Sequence, residues 1–307
     1  MNKILITPRS LTRDGHRALK KLEEAGYELI YSTAGVQPSE EELLKLLPDC
    51  IGMLAGVEKL SAKVLESAKN LKAISRNGVG INSIDLETAE RLNIKILTTP
   101  GANARGVAEL AFGHILTAVR SIAYCDWSLK NQTWQRRKGI ELQGKTLGLI
   151  GCGNIGRIVA VFALGFDMKV LAYDPFKDES LKPSDDFKYC PLDEVISESD
   201  IISLHCPPTE NGKPLLDSEV ISKMKKGVYI VNTARAELLD EKTMLKALDD
   251  GDVAGLTLDV FSPEPPEDWT LAKHPNVVAT AHIGSFTAES VDRSVCQAID
   301  NLLKELM

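Results

Sequence analysis

The sequence predicts an α/β protein built from two doubly wound parallel sheets, one in each of two domains. Its 307 residues are enough for two domains of ordinary size. Short β-rich runs alternate with helical patterns almost from the first residue, which is typical of parallel strands joined by crossover helices. A long helical pattern over 103–125 divides the strands into two series, and a glycine-rich loop follows the first strand of the second series. Each series is therefore predicted to form its own sheet.

The first series occupies the first hundred residues. Each apolar strand candidate is followed by a polar loop and then by a helical pattern, so this segment predicts one small doubly wound unit. The predicted strands are 3–7, 28–31, 51–54, 71–75 and 95–97, and the predicted helices are 17–25, 40–47, 61–68 and 85–92.

The second series follows the long helical pattern. In that pattern Val107, Ala111 and His114 recur at helical spacing, and Asn103 can act as the N-cap. The predicted strands are 146–150, 169–173, 201–205, 228–232, 253–259 and 277–280, and the predicted helices are 158–164 and 287–306.

Composition and charge exclude several classes of protein. With 36 Lys and Arg against 43 Asp and Glu, the net charge is -7, so there is no global basic field for nucleic acid or an anionic membrane. No apolar run has the form of a signal peptide or a membrane span. The six cysteines show neither CxxC nor metal-ligand spacing, so we expect reduced thiols, no metal site and a cytoplasmic location.

A GxGxxG motif fills 151–156 (GCGNIG). It follows the predicted strand 146–150 directly and opens a helical pattern, which is the context of a dinucleotide-binding loop. The first glycine permits the tight turn, the second lets the backbone approach a pyrophosphate, and the third allows close packing of helix and strand. The helix N-terminus supplies N–H donors to the phosphates. The predicted cofactor-binding residues of this loop are Gly151, Gly153, Asn154, Ile155 and Gly156.

Asp174 stands at the end of the next predicted strand, 169–173. Its carboxylate can accept hydrogen bonds from the hydroxyls of an adenosine ribose and would repel a 2′-phosphate. The sequence therefore predicts NAD rather than NADP as the cofactor, bound by a Rossmann domain.

Further ordered blocks carry a resemblance to a known family. The blocks are 77–80 (NGVG), 99–103 (TPGAN) with 107–109 (VAE), 144–148 (GKTLG), 231–235 (VNTAR), 258–261 (LDVF) with 264–265 (EP), and 282–285 (HIGS). Together with the glycine loop they cover nearly the whole chain, and the sequence resembles the D-isomer-specific 2-hydroxyacid dehydrogenases. That family includes phosphoglycerate dehydrogenase, glycerate and hydroxypyruvate reductases and D-lactate dehydrogenase.

The resemblance implies a catalytic set of Arg235, Glu264 and His282. The planar guanidinium of Arg235 suits the carboxylate of a 2-keto acid and can polarise the neighbouring carbonyl. His282 is suited to protonate the alkoxide that hydride transfer leaves, and to act as the base in the reverse reaction. Glu264 would bind the far imidazole nitrogen and so fix the tautomer and orientation of the ring.

The resemblance also implies the remaining contacts. Asp259 is expected to help hold the nicotinamide carboxamide. The loop of Asn77, Gly78 and Val79 is expected to bind the substrate carboxylate through the backbone N–H groups of its last two residues. The other residues expected to line the dinucleotide are Cys206, Thr233 and Ala234.

An inserted arrangement of domains follows from the same resemblance. A flavodoxin-like substrate-binding domain takes residues 1–100 with 285–307, and the NAD-binding Rossmann domain takes 101–284. The active site is expected in the cleft between them, with hinge motion near Pro100 and Gly284. The long helix after the first domain points, by resemblance, to a homodimer.

The chain departs from the phosphoglycerate type at one element. Those members carry an Arg-Ser pair after the third strand, where this sequence has 54–59 (LAGVEK). The phosphate-binding element is therefore in question, with Arg76 and Arg105 as candidate replacements. Because the sequence ends at Met307, directly after the predicted closing helix, we expect no serine-sensing regulatory domain.

The substrate stays open among small 2-keto and 2-hydroxy acids. Hydroxypyruvate, glyoxylate and 3-phosphohydroxypyruvate are nearly equal candidates. A phosphite dehydrogenase, which shares an Arg-Glu-His set, is one alternative, and an NAD-sensing corepressor resembling the C-terminal-binding proteins is another. Additional peptide-binding surface and disordered tails would favour the corepressor, and the sequence shows neither. The histidines at 16, 114, 205 and 274 are assigned no catalytic role.

Overall fold

The computed structural model describes residues 2–209 and 211–307. It divides into two compact units: unit 1 is Met1–Asn103 with Ala288–Met307, and unit 2 is Ala104–Thr287. Each unit holds one sheet of parallel strands, with helices between most successive strands. The predicted fold class of two doubly wound α/β sheets is confirmed.

Unit 1 contains five short strands with helices between them. The strands are β1 Lys3–Ile6, β2 Glu28–Tyr31, β3 Cys50–Ala55, β4 Ala73–Arg76 and β5 Lys95–Leu97, and the helices are α1 Arg9–Asp14, α2 Lys20–Glu24, α3 Glu40–Leu46, α4 Ala62–Ser67 and α5 Leu86–Arg91. The strand order β2-β1-β3-β4-β5 is that of flavodoxin-like folds. The central strands are buried along most of their length, as expected when helices cover both faces of a parallel sheet.

Unit 2 contains seven strands. The strands are β6 Thr146–Ile150, β7 Lys169–Tyr173, β8 Phe187–Tyr189, β9 Ile201–Leu204, β10 Val228–Asn232, β11 Val253–Leu258 and β12 Val277–Ala279, and the helices are α6 Ala104–Val119, α7 Ile122–Lys130, α8 Asn154–Leu164, α9 Leu192–Glu198, α10 Ser218–Ser222 and α11 Glu241–Asp250. Their order is β12-β11-β10-β9-β6-β7-β8. The sheet therefore grows outward in both directions from β6, which is the Rossmann arrangement, with its switch point between β6 and β9.

One further helix, α12 (Ala288–Leu306), follows unit 2 in the sequence but belongs to unit 1. Its side chains Val295, Ile299 and Leu302 recur at helical spacing and are fully buried. They pack in the same apolar cluster as residues of β1, β3 and β4. The helix thus completes the apolar core on one face of the five-stranded sheet.

The single helix predicted over 103–125 is wrong in its extent. α6 ends at Val119, α7 begins at Ile122, and Ser121 between them has φ 50°. A left-handed residue cannot continue a right-handed helix. The carbonyl of Val119 accepts a hydrogen bond from the N–H of Ile140 at 3.1 Å. Because this partner is distant in sequence, helical periodicity alone could not reveal the break.

The sequence patterns did not predict α1 in unit 1, nor β8, α9, α10 and α11 in unit 2. β8 has three residues and α10 has five, which is too short for a periodic pattern to stand out. The sequence of α11 does contain features that predict a helix. The side chain of Asp240 accepts the N–H of Thr243 at 2.7 Å as an N-cap, and Met244, Ala247 and Leu248 are buried at helical spacing.

Three loops of unit 2 leave neighbouring strands at one edge of the sheet. β10, β11 and β12 are adjacent and parallel, so their carboxyl ends lie along the same edge. The loops after them carry Arg235, Glu264 and His282 respectively. Open α/β sheets bind their ligands at this edge. α6 contacts all three strands.

Candidate active site

His282 and Glu264 form a hydrogen-bonded pair. His282 Nδ1 lies 2.7 Å from Oε2 and 2.9 Å from Oε1 of Glu264. Because a carboxylate only accepts, Nδ1 carries the proton, and the neutral ring keeps its lone pair on Nε2. Glu264 Oε1 also accepts the N–H of Phe261 at 3.0 Å, which fixes the carboxylate close to the end of β11. The pair leaves Nε2 available to donate or accept a proton.

Asp259 holds the backbone that follows His282. Its side chain is buried, and it accepts the N–H of Ile283 and the N–H of Gly284 at 2.8 Å each. His282 has φ 51°, a region that residues with a Cβ seldom adopt. The structure thus gives Asp259 a role in the loop, besides the carboxamide contact predicted from the resemblance.

Two polar residues beside Asp259 were not singled out as functional from the sequence. Thr280 Oγ1 lies 2.6 Å from Asp259 Oδ1, and His114 Nε2 lies 3.1 Å from Thr280 Oγ1. The one available signal was a histidine on the apolar stripe of the long helical pattern. That histidine is buried in α6.

Arg235 is half-buried on the loop after β10. Asn232 braces this loop, because its Nδ2 donates to the carbonyl of Arg235 at 2.7 Å and its Oδ1 accepts the N–H of Ala234 at 3.0 Å. The guanidinium donates through Nη1 to the carbonyl of Ala234 at 2.7 Å. Within residues 2–209 and 211–307 it pairs with no carboxylate. A guanidinium that pairs with no carboxylate is available to bind an anionic ligand.

The glycine loop has the form that a dinucleotide pyrophosphate requires. Gly151 has φ 97°, and a Cβ there would lie 2.5 Å from the carbonyl oxygen of His205, so only glycine fits the turn. A Cβ on Gly153 would meet no atom within 4 Å, so the space beside this backbone is open. α8 begins directly afterwards at Asn154, with Ile155 in its first turn. These residues fit the pyrophosphate of NAD.

Asp174 follows β7 and is tied to the glycine loop. Its Oδ2 accepts the N–H of Cys152 at 2.8 Å, and its Oδ1 accepts the N–H of Phe176 at 2.8 Å. Each carboxylate oxygen retains acceptor capacity for a ribose hydroxyl. The negative charge of a carboxylate at this position would oppose a 2′-phosphate.

Replacing Asp174 by asparagine is expected to lower the preference for NADH over NADPH by at least about 10-fold, because the repulsion of the 2′-phosphate is removed. The measurement is kcat/KM with each cofactor at a fixed concentration of keto acid. The control is Asp186→Asn, an exposed carboxylate on the connection between β7 and β8. An unchanged cofactor ratio in the Asp174 variant would contradict the role given to this residue.

The ends of β9 and β10 bear the other residues expected to line the dinucleotide: Cys206, Thr233 and Ala234. The hydroxyl of Thr233 is buried and has no partner among the described residues. Burial raises the pKa of the Cys206 thiol to about 11, so the thiol stays neutral. His205 lies under the glycine loop with Nε2 2.9 Å from Ser203 Oγ, and burial lowers its pKa to about 4. It therefore supports the loop as a neutral side chain.

The loop after β4 in unit 1 carries the residues predicted to bind a substrate carboxylate. The N–H of Gly78 donates to the carbonyl of Arg76 at 2.9 Å, whereas the N–H of Val79 has no acceptor in the described part of the chain. This differs from the expectation that both N–H groups are offered to the substrate. The N–H of Asn77 donates to the carbonyl of Ala55 at 2.9 Å. Of the two predicted donors, only Val79 is available.

Metal-ligating side chains are not grouped for ion binding anywhere in the described residues: no three His, Cys, Asp or Glu side chains come together there. None of the helices in the same residues is both long enough and apolar enough to cross a membrane.

The Rossmann sheet of unit 2, with a glycine loop open to a pyrophosphate, defines a class: the chain is a dinucleotide-binding protein. Residues 112–284 match the family model described as D-isomer specific 2-hydroxyacid dehydrogenase, NAD binding domain. The chain belongs to the D-isomer specific 2-hydroxyacid dehydrogenase family, which confirms the resemblance noted in the sequence. It uses NAD, and its reaction is that of a 2-hydroxyacid dehydrogenase.

Relatives and solved structures agree with this assignment. Hydroxypyruvate reductase of Thermotoga maritima is 45% identical over 273 residues, which cover 87% of this chain and 88% of that protein. D-3-phosphoglycerate dehydrogenase of Homo sapiens is 38% identical over 277 residues, 89% of this chain and 51% of that protein. The crystal structure of D-lactate dehydrogenase from Aquifex aeolicus, complexed with NAD and lactic acid, has a TM-score of 0.82 and 31% identity, covering 99% of this chain and 95% of that one.

The chain spans about half of the length of the phosphoglycerate dehydrogenases that it matches. The two alternatives weighed from the sequence, a phosphite dehydrogenase and a corepressor of the C-terminal-binding type, are not favoured by these relatives.

Proposed function

We propose that the chain interconverts a small, unphosphorylated 2-keto acid, hydroxypyruvate or glyoxylate, with the corresponding D-2-hydroxyacid or glycolate. One observation carries this proposal. A histidine paired with a carboxylate, and an arginine that pairs with no carboxylate among the described residues, occupy loops after neighbouring strands at the ligand-binding edge of a Rossmann sheet. When bound, NADH supplies the hydride that reduces C2 of the keto acid.

His282 donates the proton of the reaction in one direction and accepts it in the other. In reduction the imidazolium donates the proton on Nε2 to the carbonyl oxygen as C2 accepts the hydride, which gives the hydroxyl of the product. In oxidation the neutral ring accepts this proton at Nε2. Glu264 keeps Nδ1 protonated in both states, because Nδ1 lies 2.7 Å from its carboxylate oxygen. The negative charge of Glu264 also stabilises the imidazolium.

Arg235 binds the substrate carboxylate. Its planar guanidinium can form two parallel hydrogen bonds with a carboxylate, and this fixes the position of the adjacent C2. The positive charge also stabilises the negative charge that develops on the carbonyl oxygen. The Asn232 side chain, which bonds both to Ala234 and to the carbonyl of Arg235, keeps the guanidinium on a rigid loop.

Glu58 supports an unphosphorylated substrate. It lies in the segment 54–59, where phosphoglycerate-type members carry Arg-Ser, at the carboxyl edge of the unit 1 sheet. Its side chain is 2% exposed, and it accepts hydrogen bonds from the hydroxyl of Thr7 and, at 2.9 Å, from the N–H of Gly56. A carboxylate in place of the Arg-Ser pair reverses the charge that phosphoglycerate-type members offer to a phosphate.

The two arginines considered as replacements for the Arg-Ser pair are engaged elsewhere. Arg76 is buried and donates through Nε to the carbonyl of Gly80 at 2.8 Å. Arg105 pairs with Glu109 at 2.5 Å on the surface of α6. The positive charge of Arg105 is therefore offset, and Arg76 is committed to its own loop. These contacts give no support to phosphate binding by either residue.

The test compares kcat/KM for hydroxypyruvate, glyoxylate and 3-phosphohydroxypyruvate, with NADH as reductant. We expect hydroxypyruvate to exceed its phosphorylated analogue in kcat/KM by at least roughly 100-fold, since a carboxylate in place of a cation at a phosphate-binding element costs several kcal/mol. Glu58→Gln should narrow this ratio, and Glu28→Gln, an exposed control on β2, should not. Turnover of none of the three acids would refute the function. A preference for the phosphorylated acid would refute only the choice of substrate.

We further propose that the protein is a cytoplasmic homodimer. The support for a dimer is the apolar surface of α7 and the loop after it, where Ile122, Trp127 and Trp134 are 52%, 60% and 83% exposed. The free thiols of the six cysteines support a reducing compartment. Analytical ultracentrifugation tests the oligomer: a particle with the mass of one chain would contradict the dimer.

A further inference from the structure

We infer that His114, Thr280 and Asp259 form a buried hydrogen-bond relay that positions the backbone of the catalytic His282. His114 and Thr280 are thus positioning residues, which act on the reaction through Asp259. The inference rests on the proposed role of His282, and it extends the active site to a helix that carries none of the predicted catalytic residues. Every member of the relay belongs to unit 2.

The relay runs from α6 through the end of β12 to the end of β11. His114 Nε2 lies 3.1 Å from Thr280 Oγ1, which lies 2.6 Å from Asp259 Oδ1. His114 and Asp259 are 3% and 1% exposed. Water is therefore not a ready substitute for either side chain as a hydrogen-bond partner.

The single hydrogen of the Thr280 hydroxyl sets the direction of the relay. Two acceptors compete for it: Asp259 Oδ1 at 2.6 Å and the carbonyl of Leu258 at 3.4 Å. The carboxylate is closer and charged, so it takes the hydrogen. The hydroxyl oxygen can then only accept from His114, and Nε2 of His114 must be the donor.

His114 is accordingly a neutral ring with its proton on Nε2. Burial lowers the pKa of His114, although the nearby charge of Asp259 opposes the shift. The other nitrogen, Nδ1, is buried and has no partner among the described residues. A proton on Nδ1 would add an unsatisfied donor there, so this tautomer would be the less stable one.

The far end of the relay holds the loop that carries His282. Asp259 accepts the N–H of Ile283 through Oδ1 and the N–H of Gly284 through Oδ2, both at 2.8 Å. A Cβ on Gly284 would lie 3.0 Å from Oδ2, so the backbone approaches the carboxylate as closely as glycine allows. The left-handed φ of His282 is unfavourable for a residue with a Cβ, and such a conformation persists only when its surroundings hold it.

The imidazole of His282 is consequently fixed from two sides. Glu264 holds the ring at Nδ1, and Asp259 holds the main chain directly after the residue. Loss of the Thr280 hydroxyl would leave Asp259 Oδ1 with one hydrogen bond fewer, and loss of the His114 donor would remove the contact that holds this hydroxyl in place. A small displacement of a reacting group lowers the rate of the chemical step more than it lowers binding.

Two variants that remove a polar group and two conservative variants test the relay. Thr280→Val and His114→Leu remove the hydroxyl and the N–H donor, whereas Thr280→Ser keeps the hydroxyl and His114→Gln keeps a donor near the position of Nε2. We expect the first two to lower kcat by about 10-fold to 100-fold with KM for keto acid and NADH changed little. The conservative variants should stay close to the parent protein. Because both residues act through Asp259, the double variant should lose no more than the worse single variant.

Thr257→Val is the matched control. Thr257 is on β11, two positions before Asp259, fully buried, and its hydroxyl has no partner among the described residues. We expect its kcat to equal that of the parent protein. A lowered melting temperature with unchanged kcat in Thr280→Val and His114→Leu would mean a purely structural role and would overturn the relay. Failure of Thr280→Ser to retain activity would overturn it as well.

Amide hydrogen exchange separates the relay from the proposed function. In Thr280→Val and His114→Leu we expect faster exchange at the amides of Ile283 and Gly284, and no change there in Thr257→Val. Unchanged exchange at both amides would overturn the relay whatever the activity. Faster exchange in a protein that reduces no keto acid would uphold the relay and refute the proposed function.

Discussion

Replacing His282 by alanine is expected to lower kcat for reduction of hydroxypyruvate by about 10³-fold, because no other group is assigned to protonate the carbonyl oxygen. NADH binding, measured by its fluorescence, should be retained. The measurement is a single-turnover experiment at saturating NADH, which isolates the chemical step. Glu264→Gln should have a smaller effect, because glutamine keeps a hydrogen bond to Nδ1 but loses the charge that stabilises the imidazolium.

The control for this prediction is a second histidine of unit 2 that faces a carboxylate. His274 Nε2 lies 3.4 Å from Asp249, and its Nδ1 accepts the N–H of Asn276 at 3.1 Å. His274→Ala removes a similar pair away from the proposed chemistry, so its kcat should stay unchanged. If His282→Ala turned over as fast as His274→Ala, the acid and base of the reaction would lie elsewhere.

Replacing Arg235 by lysine is expected to lower kcat/KM for hydroxypyruvate by roughly 10²-fold to 10³-fold, although the positive charge is kept. An ammonium group cannot form the two parallel hydrogen bonds that a guanidinium offers a carboxylate, so the substrate loses its fixed orientation. Steady-state kinetics should show both a higher KM and a lower kcat.

The matching variant for Arg235 is Arg91→Lys. Arg91 pairs with Glu66 on the surface of unit 1, where exchange of one cation for another has little consequence. We expect wild-type kinetics from it. An Arg235→Lys protein with full activity would show that only charge is needed at this position, and the two-bond geometry would be wrong.

Local chemistry made much of the fold and the cofactor loop predictable. The strand 146–150 and the glycines after it fell where the structure has β6 and the start of α8, because a tight turn and a close helix-strand contact both require glycine. The prediction of a single helix over 103–125 is wrong at Ser121, where the helix is interrupted. The break there depends on a hydrogen bond from Ile140, and no local pattern encodes a partner so distant in sequence.

The His282–Glu264 pair was anticipated only through the family resemblance. The sequence separates the two residues by a segment rich in prolines, and nothing in residue spacing brings them together. The roles of Thr280 and His114 could not be predicted from the sequence for a related reason. A threonine near the end of a strand and a histidine on an apolar helix face are both ordinary, and their link to Asp259 appears only when α6 lies across β11 and β12.

The place of α12 in unit 1 constrains the order in which the chain can fold during synthesis. Ser75 Oγ donates to the carbonyl of Ala298 at 2.7 Å, and Asn301 Nδ2 donates to the carbonyl of Thr98 at 2.8 Å. Unit 1 therefore lacks part of its core until residues 288–307 leave the ribosome, although more than four fifths of its chain is made first. Unit 2 has all of its residues earlier. Until α12 is made, nascent unit 1 exposes one apolar face of its sheet. A chaperone would be most useful during this period.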